Sequence, residues 1–136
     1  MSKVLAIDYG KKRCGFAISD EDQSIAFPLE TVDNKEVYQY IKNITENENI
    51  VKFVIGLPRT NTNDLFNLEG EIKLFIKKIE LDYPNLGIFR EDERFTSSLA
   101  KLLIAKSDLK KTKRENKKLI DKISATIILQ SFLKKF

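Results

Sequence analysis

The sequence predicts an α/β fold: a mixed five-stranded sheet, three antiparallel N-terminal strands followed by two parallel ones, flanked by helices. Three observations carry that expectation. Val4-Leu5-Ala6-Ile7 is apolar without alternation, the mark of a strand buried on both faces. Three strand-like segments precede the first helical pattern, and short turns between them make an antiparallel meander. Strands and helices then alternate, and strands reached through helices lie parallel.

The first strand, residues 4–8, ends on the carboxylate of Asp8, which is costly to bury unless it is paired or holds a metal. Alone, Asp8 reads first as a turn cap. Gly10 and the basic Lys11-Lys12-Arg13 form a tight reversal, and residues 15–19 return as the second strand. The one cysteine, Cys14, falls inside this strand pattern and reads as a small buried hydrophobe. Residues 24–32 make a third strand, and Pro28 assigns it to an edge, since a central strand cannot spare that amide.

Asp33 and Glu36 predict a capping box for a helix carrying Val37, Ile41 and Ile44, ended by the polar run 43–49. Residues 50–57 form a second strongly apolar strand, closed by Gly56-Leu57-Pro58-Arg59. From 64 to 82, Leu65, Leu68, Ile72, Phe75, Ile76 and Ile79 recur at helical spacing. Pro84 and Gly87 punctuate, and a strand over 86–93 ends on Glu91-Asp92-Glu93. Thr96 or Ser97 then caps a short helix with Leu99, Leu102 and Leu103. The last helix, 119–133, holds Asp121 in its first turn and Ala125, Ile128 and Phe132 along one stripe. No repeat or linker interrupts the 136 residues, which read as one domain, 1–136.

Composition narrows the chemistry. No apolar run approaches the roughly 20 residues of a membrane span, and no signal-peptide core opens the chain, so a cytoplasmic location is expected. With no histidine, Ser-His and Cys-His nucleophiles and imidazole-bound zinc are excluded. Hydrolysis would run on carboxylates, lysines or a metal held by oxygen. The net charge of +4 is local. Seven basic residues between Lys106 and Lys118 face only Asp108 and Glu115, a local +5 that leaves −1 for the rest of the chain. So basic a segment, with few apolar residues, is expected to be a mobile loop before it binds a polyanion.

Asp8 and the pair Asp92-Glu93 end strands, where the crevice of an open α/β sheet lies. Asp121 interrupts an otherwise apolar helix face. Three converging carboxylates suit magnesium or manganese. Two such ions could activate water against a phosphodiester.

Taken together, Asp8-x-Gly10, Val54-Ile55-Gly56-Leu57-Pro58, Asp92-Glu93-Arg94-Phe95-Thr96-Ser97, a basic segment, and Asp121-Lys122-Ile123-Ser124-Ala125 with Ile127 to Leu133 resemble the YqgF family. This family is also known as RuvX, or Holliday-junction-resolvase-like, and has an RNase H-like fold. The likeness covers essentially the whole chain in order. It implies a Mg2+- or Mn2+-dependent nuclease acting in 5′-end maturation of pre-16S ribosomal RNA, with junction cleavage as the older proposal. Residue by residue, Asp8, the pair Asp92-Glu93 and Asp121 match the family's acidic positions, and the expected metal ligands are Asp8, Asp121 and one of that pair. One departure stands out: residues 105–120 hold no glycine, where the family commonly has one. Strand alternation turns Asp92 and Glu93 to opposite faces, which favours Glu93 as ligand and Asp92 as partner of a nearby base.

The expected nucleic-acid contacts are Lys11, Lys12, Arg13, Arg59, Arg94, Lys110, Lys111, Lys113, Arg114 and Lys117. The expected partners are pre-rRNA or branched DNA and ribosomal precursor particles, bound by a monomer or weak homodimer, with no membrane. Two other classes compete. A phosphotransferase of the actin and sugar-kinase type also opens on an Asp-x-Gly strand, but this chain is too short for two ATP-clamping lobes. A non-catalytic nucleic-acid-binding module would use the basic segment alone.

Overall fold

The computed structural model describes residues 2–57, 63–92 and 113–134, and the side chains of all of these except 63–67 and 113–118. Its strands are β1 (Lys3–Asp8), β2 (Arg13–Ser19), β3 (Ala26–Asp33), β4 (Ile50–Leu57) and β5 (Gly87–Asp92). Its helices are α1 (Val37–Asn47), α2 (Asn63–Asp82) and α3 (Lys113–Leu133). The strands form one mixed sheet in the order β3-β2-β1-β4-β5. β1 pairs antiparallel with β2 and parallel with β4, and β5 runs parallel beyond β4. The predicted fold class is the one observed.

β1 is central, and Val4 to Ile7 have no exposed surface. Alternation divides its side chains between two cores. Leu5 and Ile7 join Phe16, Phe53 and Ile55 against Val37 and Ile41 of α1 and Ile72, Phe75 and Ile79 of α2. Val4 and Ala6 face the other way, with Ala17 and Val54, against Ala125, Ile128, Leu129, Phe132 and Leu133 of α3. That second layer is lined by small residues, so α3 lies close to the sheet. β3 takes the edge, as Pro28 requires, and its pairing with β2 shifts register between Gly15 and Ala17.

Four local expectations are corrected. Asp33 makes no capping hydrogen bond. It is instead the last residue of β3, in register with Arg13, and a 3-10 turn, Asn34–Glu36, precedes α1. α1 continues through much of the polar run to Asn47, because Thr45 Oγ1 donates to the Lys42 carbonyl and Asn47 Nδ2 to that of Asn43. These side chains bond back onto their own helix instead of leaving it. The last helix starts at Lys113, so residues 113–118 of the basic segment are helical and not loop. Lysine and arginine are good helix formers, and net charge alone does not prevent a helix. Asp121 accordingly lies more than two turns into α3, not in its first turn. The short helix expected after Thr96 or Ser97 lies outside the described residues.

Candidate active site

The site is built around the end of β1. Asp8, half-buried, stands in register with Gly15 of β2, and Ile7 with Ile55 of β4. The chain then reverses at Gly10, where a Cβ would collide with the carbonyl oxygen of Arg13. Asn34 braces the turn: its Nδ2 donates to the Gly10 carbonyl at 2.7 Å, and its backbone N–H to that of Lys12 at 2.9 Å. Tyr9 stacks on Phe75 of α2, with ring centroids 4.9 Å apart. Asp8 is thus followed by a braced turn that presents Lys11 and Lys12 to solvent.

α3 supplies the second carboxylate. Asp121 lies one turn before the buried Ala125, on the face turned toward the sheet. Arg13, at the start of β2, donates from Nε to Asp121 Oδ2 at 3.2 Å, both side chains about three-quarters buried. Arg13 was expected to face nucleic acid; the structure turns it onto an acidic residue of the site. Because Asp121 is far from the helix N-terminus, the macrodipole gives it little support, and the guanidinium supplies the compensating charge.

Cys14 senses both carboxylates. Its thiol is pushed up to about 12, first by burial and then by the nearby charges of Asp8 and Asp121. It stays protonated at neutral pH, packed in the core shared with α1 and α2.

β5 completes the rim. Arg90 reaches the α2 side and binds Glu69 through both guanidinium nitrogens, at 2.7 and 3.2 Å. It also donates to the carbonyls of Ile55 and Gly56. Phe89 contacts Phe132 of α3 on the opposite face. Alternation then places Glu91, 3% exposed, on the α3 side, paired with Gly56 of β4, the residue after Ile55, which pairs with Ile7. Asp92, in register with Leu57, falls on the other face. The sequence reading did not single out Glu91, which the structure buries in β5.

Glu93, Arg59, Arg94, Lys110 and Lys111 lie outside the described residues. Lys113, Arg114 and Lys117 are on the first turns of α3. Among the described residues no group of three or more metal-ligating side chains is close enough to enclose an ion. Asp8 and Asp121, whose charges both reach Cys14, carry hard carboxylate oxygens, a donor type that suits Mg2+ or Mn2+. Ser124, buried one turn along α3 from Asp121, has a hydroxyl with no hydrogen-bond partner among the described residues, which also fits a hydrated cation nearby. No described helix is long and apolar enough to cross a membrane.

Known proteins are similar to this chain. A protein of Bacteroides fragilis, named "Putative pre-16S rRNA nuclease", is 43% identical over 133 residues, covering 98% of this chain and 96% of its own. A protein of the same name in Karelsulcia muelleri is 46% identical over 141 residues, covering 98% and 99%. The fold is similar to that of T. thermophilus RuvC, solved in complex with a Holliday junction substrate, with a TM-score of 0.62 at 11% identity over 99% of this chain and 96% of that one. That likeness shows an RNase H-like fold. The family model described as "RuvX: Holliday junction resolvase" matches residues 2–135, and the chain belongs to that family.

Proposed function

We propose that this protein is a divalent-metal-dependent nuclease that hydrolyses phosphodiester bonds in 5′-end maturation of pre-16S ribosomal RNA, with residues 1–136 acting as one domain in the cytoplasm. The observation that carries the proposal is that Asp8 and Asp121, from opposite ends of the chain, both lie at Gly15: Asp8 pairs with it across the β1–β2 ladder, and the backbone of Asp121 packs against it. Asp8, Asp121 and Glu93 would hold Mg2+ or Mn2+. A pair of such ions supplies an activated water and charge at the leaving oxygen.

This chain's own residues do the rest. Arg13 holds the Asp121 carboxylate in place. Lys11 and Lys12, on their braced turn, are exposed beside Asp8 and can take backbone phosphates. Arg59, Arg94, Lys110, Lys111, Lys113, Arg114 and Lys117 would extend that track. With no histidine, the proton of the attacking water passes to a carboxylate or to solvent. Asp92, on the face away from Asp8, partners a base and does not ligate. Pre-rRNA within ribosomal precursor particles is the expected partner, met by a monomer or weak homodimer.

The RuvC likeness and the family description favour branched DNA as a second substrate. Labelled single-stranded RNA, duplex DNA and four-way junctions, each incubated with Mn2+, Mg2+ or EDTA, distinguish the two. Cleavage of RNA spanning a pre-16S 5′ end, lost in EDTA, is the expected result. Metal-dependent cleavage of junctions alone favours the resolvase, and binding without any cleavage overturns the enzyme.

A further inference from the structure

We infer that Gly15 is a positioning residue for this site, its bare backbone forming the seat that brings Asp121 of α3 to Asp8 of β1. The inference rests on the proposal that these two carboxylates share a metal.

Gly15 lies inside β2, where glycine is unfavourable because it loses more backbone entropy than other residues and gives nothing to pack. It needs no unusual backbone, since none of the glycines described has a positive φ. Conformational freedom therefore does not account for it. Close approach does. A Cβ placed on Gly15 would lie inside 3.0 Å of both the carbonyl oxygen and the carbonyl carbon of Asp121, and 3.1 Å from the amide nitrogen of Lys122. Those atoms are helix backbone, so they can move only if the helix moves. Gly15 is also the residue paired with Asp8 across the β1–β2 ladder.

Its neighbours on the same face act in the same direction. Arg13 clamps the Asp121 carboxylate, and Ala17 meets α3 with only a methyl group. The three residues grade from charged clamp to bare backbone to small side chain, and Asp121 comes closest where the side chain is missing. Any side chain at 15 would lift α3 at Asp121. Carboxylates binding Mg2+ tolerate little displacement, because its octahedral bonds are short, about 2.0–2.1 Å.

The test is Gly15→Ala, alone and with Asp121→Glu, read by Mn2+ calorimetry and by cleavage of the RNA substrate, with circular dichroism and thermal melting reporting the fold. Gly15→Ala should weaken Mn2+ binding by about 10- to 100-fold, as loss of a ligand-orienting partner does. Asp121→Glu alone should also weaken it. In the double variant the longer carboxylate reaches back from the lifted helix, so Mn2+ affinity should exceed that of Gly15→Ala alone. A purely structural defect would not be repaired by one methylene. Wild-type Mn2+ affinity in a folded Gly15→Ala overturns the inference, as do losses that simply add in the double variant. Should Gly15→Ala not fold, Ala17→Val wedges the helix more gently from the next position on that face. Rescue of that variant by Asp121→Glu supports the seat, and its absence overturns it. Asp8→Asn is the control: if it binds Mn2+ normally, the metal proposal itself fails. If Asp8→Asn loses binding while Gly15→Ala keeps it, only the role of Gly15 falls.

Discussion

At the scale of single residues, variants should separate the proposed roles of the four carboxylates. Asp8→Asn keeps the shape and removes the charge that would hold the cation, so cleavage should vanish while folding and nucleic-acid binding persist; cleavage assays beside filter binding check this. Asp121→Asn and Glu93→Gln should each lose activity of comparable order. Asp92→Asn should lose less, since its strand position turns it from Asp8. A greater loss at Asp92 than at Glu93 would invert the assignment of the pair. Cys14 makes a second, independent prediction. Its folded thiol lies at about 12 against an ordinary 9.0. Below pH about 9 both states are protonated and stability is undiminished. Between about 9 and 12 the unfolded chain releases the proton first, so stability falls with rising pH. Urea midpoints measured across this range should decline, and less steeply in Cys14→Ala. Burial also raises Tyr9, Tyr38 and Tyr40, so part of the decline should remain in that variant.

Between elements, polar contacts fix how the layers register on one another. Arg90 ties α2 to the ends of β4 and β5 through Glu69 and two backbone carbonyls. Removing it as Arg90→Met leaves a largely buried Glu69 without its partner and two carbonyls short of a donor. The expected cost is about 2–3 kcal/mol, read from urea unfolding. The Arg90→Met, Glu69→Gln double variant should cost less than the sum of the singles, because the two share one interaction. On the other face α3 is held by apolar contacts, by Arg13 and by Gln130, whose amide accepts from the Ala26 N–H and donates to the Ser24 carbonyl, and no bidentate ion pair is seen there among the described residues. An ion pair thus braces the sheet toward α2, while α3, which carries Asp121, combines close packing against small residues with the Arg13 and Gln130 contacts.

For the molecule as a whole, charge is divided between an acidic rim and a basic segment that leads into α3. If that segment tracks a phosphate backbone, replacing Lys110, Lys111, Lys113 and Arg114 with Gln should weaken binding to all sequences alike. It should also flatten the dependence of log affinity on log salt by roughly 3 units on single strands, about 0.7 for each lost contact. Cleavage of pre-bound substrate should change little. An unchanged slope would mean a solvated segment with no part in binding. Residues 113–118 continue into the helix that holds Asp121, so the basic segment and that carboxylate share one element.

Much of this architecture follows from local pattern. The doubly buried central strand was readable in Val4 to Ile7, the edge position of β3 in Pro28, and α2 in its apolar spacing, because burial acts on each residue at its own period. Asp8 and Asp121 were readable too, as charges at positions where charge is costly. Tertiary structure alone decided who meets whom. The Arg13–Asp121 pair spans 108 residues of sequence, and no local period encodes it. The place of Glu91 at the end of β5, paired with Gly56 beyond the Ile7–Ile55 pair, is set by the register of two neighbouring strands. Gly15 reads in sequence as a weak point in a strand. Only with α3 laid across it does the missing side chain become the space in which the backbone of Asp121 comes to rest.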